Sequence, residues 1–139
     1  YRSAGLLLGH DGALPERSAD WPYRLTPALV IESPGLNVER ATVVLQGCVS
    51  GLAKEGLGGD ALGLEWALLA RGADSVLASH WYVDYRSAGA FCRRFYEAWL
   101  GRSQTRIAAW QEAVAGTLQD PEGGSSYDWA AFSLSGDWR

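Results

Sequence analysis

The chain predicts an α/β fold with a mainly parallel sheet, and three features carry that prediction. Short apolar runs of strand length recur at Leu6-Leu7-Leu8, Thr42-Val43-Val44-Leu45 and Ser75-Val76-Leu77-Ala78. Segments with helical spacing and helix-stopping residues lie between and after them, and this alternation implies parallel strands joined by right-handed crossovers. The 139 residues are 47% hydrophobic and include seven Trp, enough for one core and too much for a disordered chain.

Gly5 to Gly9 reads as a short buried strand ending at His10. His10 to Tyr23 holds Gly12, Pro15 and Pro22 and is a long loop, whose Glu16, Arg17 and Asp20 are solvated charges. Thr26-Pro27 starts a helix, with Thr at the N-cap and Pro at the first helical position, and Pro34-Gly35 stops it. Ala41 to Gly47 is the strongest strand signal, and a loop with four glycines follows from Val49 to Gly59. Ala61 to Arg71 has helical spacing of Leu62, Trp66 and Leu69, a stripe expected to pack on the sheet, with Gly72 as its stop.

Ser75 to Ser79 is another strand. Asp84 is the expected N-cap of a helix running to about Leu100 and closed by Gly101, with Cys92 packed on its Phe91/Phe95/Trp99 side. Ser103 is expected to cap a helix from Gln104 to about Leu118, and Trp129 to Leu134 reads as the last strand.

A net charge of −4 gives no electrostatic reason to expect nucleic acid. No stretch approaches eighteen apolar residues, so no membrane span is expected, and no signal peptide is read. The chain has no Met and opens at Tyr1, which suggests that the natural N-terminus lies upstream. Two cysteines make neither a disulfide framework nor a metal site, and a cytoplasmic location is the default. No glycine-rich loop is followed by G-K-[ST], so nucleotide binding is not expected.

In parallel sheets, sites form beyond the carboxyl ends of strands. His10 and Cys48 each follow an apolar run, and the 38 residues between them (48 minus 10) suffice for a crossover. A neutral thiol attacks carbonyls poorly, and a positioned imidazole can take its proton and later give it to a leaving amine. The pair points to a cysteine hydrolase. His80, at the end of the 75–79 strand, is the other imidazole available.

Val43-Val44-Leu45-Gln46-Gly47-Cys48-Val49-Ser50-Gly51 resembles the nucleophile segment of CHAT domains, caspase-like peptidases associated with TPR proteins. Gly59 to Leu64, Leu69 to Ala73, Val76 to Trp81, Phe95-Tyr96, Trp129 to Phe132 and Gly136-Asp137 follow that family's pattern in register from about residue 5 to 138. The resemblance implies a caspase-like three-layer sandwich, a mainly parallel sheet with helices on both faces. It implies that residues 1–139 are the C-terminal portion of the domain, lacking its N-terminal portion.

By the same resemblance Cys48 is the nucleophile and His10 the general base of a cysteine endopeptidase needing no metal or organic cofactor. The family's His is normally followed directly by Gly, whereas here the order is His10-Asp11-Gly12. The oxyanion would be held by backbone N–H groups of Cys48 and of Asp11 or Gly12. Trp81, Asp84 and His80 are expected to line the substrate cleft; family members usually carry an apolar residue at the position of His80. Asp84 reads first as a helix cap and second as a partner for a basic substrate side chain. Expected partners are a protein or peptide substrate and sensor or repeat domains such as TPR, with no direct contact to nucleic acid and none to membrane. Two other readings use the same residues: a degenerate CHAT module that binds or scaffolds without cutting, and a thiol acyltransferase.

Overall fold

Four residues of strong β propensity, Thr42 to Leu45, and the five from Ser75 to Ser79 lie side by side as parallel strands in the computed structural model, which describes residues 6–7, 24–46, 59–120 and 125–139. In chain order the elements are β1 (Leu6–Leu7), β2 (Arg24–Leu25), α1 (Pro27–Glu32), β3 (Thr42–Leu45), α2 (Gly59–Ala70), β4 (Ser75–Ser79) and α3 (Tyr85–Tyr96). A π-helical turn (Glu97–Gly101) extends α3, and α4 (Arg106–Leu118), α5 (Ser126–Trp129) and β5 (Phe132–Gly136) complete the chain.

The main sheet has the order β3-β4-β5. Thr42 pairs with Ser75 and Leu45 with Ala78 in the parallel ladder. β5 runs the other way, with Ser79 opposite Phe132 and Ser75 opposite Gly136. The sheet is therefore mixed: the parallel pairing expected from strand–helix alternation holds for β3 with β4 and is corrected for β5. A single crossover helix returns the chain for parallel pairing, whereas two packed helices, α3 and α4, separate β4 from β5. The expected last strand began at Trp129, but Ser126–Trp129 is a helical turn, so β5 starts at Phe132.

The first strand also departs from expectation. Leu6–Leu7 pairs antiparallel with Arg24–Leu25 in a separate two-stranded sheet, and among the described residues it is not a neighbour of β3.

Alternation along β4 sorts the core into two layers. Val76 and Ala78 pack with Val30 of α1 and Leu64, Ala67 and Leu68 of α2. Leu77 faces the opposite side, among Phe91 and Phe95 of α3, Ala109 and Ala113 of α4 and Phe132 of β5. Phe91 and Phe132 stack with ring centroids 4.2 Å apart. Helices thus cover both faces. β4 is buried along its whole length, as befits a strand covered on two sides.

The helix ends follow sequence chemistry at most positions. The Thr26 hydroxyl accepts from the Leu29 N–H, with Pro27 at the first helical position. Gly72, at φ +93°, ends α2 in the left-handed region that glycine adopts without cost. Ser103 is not the cap of α4. It sits at φ +54° in the turn leaving the π-helical stretch, whereas Thr105 is extended and its hydroxyl accepts from the Ala108 N–H.

The Trp66 stripe is likewise corrected. Trp66 is 65% exposed and faces away from the sheet, whereas Leu69 of the same stripe packs against the layer that buries Leu64, Ala67 and Leu68. No helix among the described residues is long and apolar enough to cross a membrane.

Candidate functional site

The carboxyl ends of β3 and β4 define one edge of the sheet, and β4 delivers its residues there by continuing its ladder one step. The His80 N–H donates to the Ala131 carbonyl at 2.9 Å, so His80 leaves the strand still tied to the segment that begins β5. Its imidazole Nε2 lies 2.6 Å from Ser133 Oγ. Ser133 pairs with Ala78 across the ladder, and His80 follows Ala78 by two residues, so all three occupy one face.

Trp81 turns to the other face. Its indole Nε1–H donates to the Tyr127 carbonyl at 2.8 Å, and the two rings lie 5.7 Å apart, tilted by 45°. Its ring also packs against the α3/α4 core layer. Val83, buried, anchors the segment that follows. Asp84 then caps α3, with Oδ1 accepting from the Arg86 N–H at 2.9 Å, and this bears out the cap reading. Tyr82 and Tyr85 are exposed, and the Arg86 guanidinium lies over the Tyr85 ring and donates from Nε to its hydroxyl.

Of the residues expected to line the cleft, His80, Trp81 and Asp84 follow β4 in close succession, with His80 and Trp81 on opposite faces of the sheet and Asp84 at the start of α3. His10, Asp11, Gly12 and Cys48 lie outside the described residues. β3 ends at Leu45, three residues before Cys48 in the chain. Cys92 is buried among apolar side chains, and that burial pushes its thiol up to about 11. It is a packing residue. The cleft of about 340 Å³ lined by Pro34, Leu36, Asn37, Glu39, Ala70 and Arg71 opens beside the start of β3 and β4, away from the edge that carries His80.

Ser133 and Tyr127 were not singled out by sequence reasoning. A signal for Ser133 was available in the alternation of Phe132, Ser133, Leu134 and Ser135, which puts the serines on one face of β5. Tyr127 carried no comparable signal, because Trp81 meets its backbone carbonyl as well as its ring.

Comparison with known proteins matches residues 24–137 to the family described as CHAT domain. No curated protein and no solved structure matches the chain.

Proposed function

The chain belongs to the CHAT domain family, which is caspase-like in general, and from that premise we propose that it is a cysteine endopeptidase. The observation that carries the reading is the parallel pairing of β3 with β4. In the chain Cys48 follows β3 and His80 follows β4, and the carboxyl ends of parallel strands are where such sheets bind ligands.

In this mechanism His10 takes the proton from Cys48 Sγ as the thiolate attacks the scissile carbonyl. Backbone N–H groups of Cys48 and of Asp11 or Gly12 hold the oxyanion, and His10 returns the proton to the leaving amine. Water then attacks the acyl-thioester, His10 again serving as base, and the acid product leaves. His80 and Trp81 line the substrate cleft, and Asp84 fixes its far end by capping α3. The caspase-like sandwich, with an N-terminal portion beyond this chain, belongs to the same proposal. So does the biology: a regulated effector acting on a protein substrate with TPR or sensor partners in a bacterial defence or cell-death pathway, which rests on family analogy.

The test incubates the whole chain with a fluorogenic peptide library, beside Cys48→Ala and His10→Ala variants. Cys48→Ala is expected to abolish cleavage and His10→Ala to lower kcat/KM by about a hundredfold or more, the scale of general acid–base catalysis. Cleavage that survives in both variants would sink the reading. Asp11, inserted between His10 and Gly12, favours a second reading in which the module binds its partner without cutting it. That reading expects peptide capture with no turnover by the unmodified chain.

A further inference from the structure

We propose that Ser133 is a positioning residue that fixes the His80 imidazole as a hydrogen-bond donor to a backbone carbonyl of the bound peptide. The inference rests on the peptidase reading above and deepens it by naming what grips the substrate backbone. His80 and Ser133 stand on the sheet face that α1 and α2 cover, beside Ala78 and, one strand further, Leu45. A half-buried polar pair beside apolar neighbours such as Ala78 and Leu45 survives when its members satisfy each other, and these two do, at 2.6 Å.

Two features make the arrangement more than mutual satisfaction. Ser133 belongs to a strand whose ladder to β4 runs from Phe132 to Gly136, so its hydroxyl is held on a rigid element. Its contact takes one ring nitrogen of His80 and leaves the other, Nδ1, with no hydrogen bond among the described residues. A neutral imidazole has one donor and one acceptor nitrogen. With the Ser133 O–H donating to Nε2, the ring proton resides on Nδ1. His80 is only partly buried, at the carboxyl edge of the sheet, so an Nδ1–H donor is available to a carbonyl of an extended peptide laid along that edge.

The test compares Ser133→Ala, Ser133→Thr, His80→Ala and the Ser133→Ala/His80→Ala double variant in the whole chain. The substrate is the fluorogenic peptide that the library returns, and Cys48→Ala is the control. Ser133→Ala is expected to raise KM about five- to tenfold, the loss of one hydrogen bond, with kcat within twofold. Ser133→Thr, which keeps the hydroxyl, should stay within twofold of the parent. Ser133→Ala should add nothing on the His80→Ala background.

Nitrogen chemical shifts of the imidazoles give a readout independent of turnover, and the chain has only two His to assign. They should report His80 as the Nδ1–H tautomer in the parent and as a mixture in Ser133→Ala. A KM blind to Ser133→Ala, an additive double variant or an Nε2–H tautomer in the parent overturns the inference while Cys48-dependent turnover leaves the peptidase reading standing. Absence of any peptide turnover overturns both.

Discussion

At Asp84 one carboxylate oxygen already accepts from the Arg86 N–H, so the side chain is engaged in starting α3 before any substrate arrives. Replacing it with Ala should cost about 1 kcal/mol of stability, the usual worth of an N-cap, and Asp84→Asn should recover most of that. Thermal melts of the two variants check this. If Asp84 chiefly received a basic substrate side chain, Asn would instead erase a preference for Lys or Arg while leaving stability unchanged. The two thiols differ in a comparable way. With its thiol pushed up to about 11, Cys92 is a thiolate in about one molecule in a thousand at pH 8, and so is a poor target for electrophiles.

Among the elements, β5 depends most on a single residue. Gly136 has φ +94°, and a Cβ built there would overlap the Asp74 carbonyl oxygen, a backbone atom with little room to yield. Gly136→Ala should therefore destabilise by about 3 kcal/mol, combining left-handed strain with overpacking, and urea melts would measure it. A loss under 1 kcal/mol would mean that the end of β5 is looser than described. The same element shows what the sequence made legible. The 75–79 strand, the Thr26-Pro27 start, the Gly72 stop and the Asp84 cap were readable because each depends on local chemistry. Strand direction was not, since it depends on how the two helices between β4 and β5 pack on each other. Ser103 and Thr105 are equally good caps by type, and only backbone angles distinguish them. Trp66 misled because a large apolar side chain was assumed to mark the buried face. At the candidate site, residue types were legible and the register that sets His80 beside Ser133 was not.

For the molecule as a whole, the edge that carries His80 and Trp81 is balanced by a charged hub at the opposite end of the parallel pair. Arg106, from α4, donates from Nε to the Thr42 hydroxyl at 2.8 Å and lies 3.5 Å from the Asp74 carboxylate and 3.9 Å from that of Asp137. Its guanidinium also sits 5.7 Å from the centre of the Trp99 ring. Arg106→Ala should cost about 2–4 kcal/mol by leaving several partly buried acceptors without a charged donor, measurable by urea melts. It should not change the reactivity of Cys48 in the molecules that remain folded. The carboxyl of Asp137 is held below its ordinary value by the Arg139 N–H, then by the Arg139 side chain, with Arg106 adding a smaller pull. A lowered folded pKa contributes stability that is fully present above the ordinary carboxylate value and is lost as pH falls through the folded one. Asp137→Asn should therefore flatten the acid limb of the stability–pH curve.

Whether Cys48 is the nucleophile proposed is decided by the alkylation rate of each cysteine, followed by mass spectrometry in the folded chain at pH 7.5. Rapid, stoichiometric labelling of Cys48 is expected, slowed by His10→Ala, with Cys92 unmodified until the chain unfolds. Labelling of Cys48 no faster than that of a free thiol in solution and indifferent to His10→Ala would contradict that role.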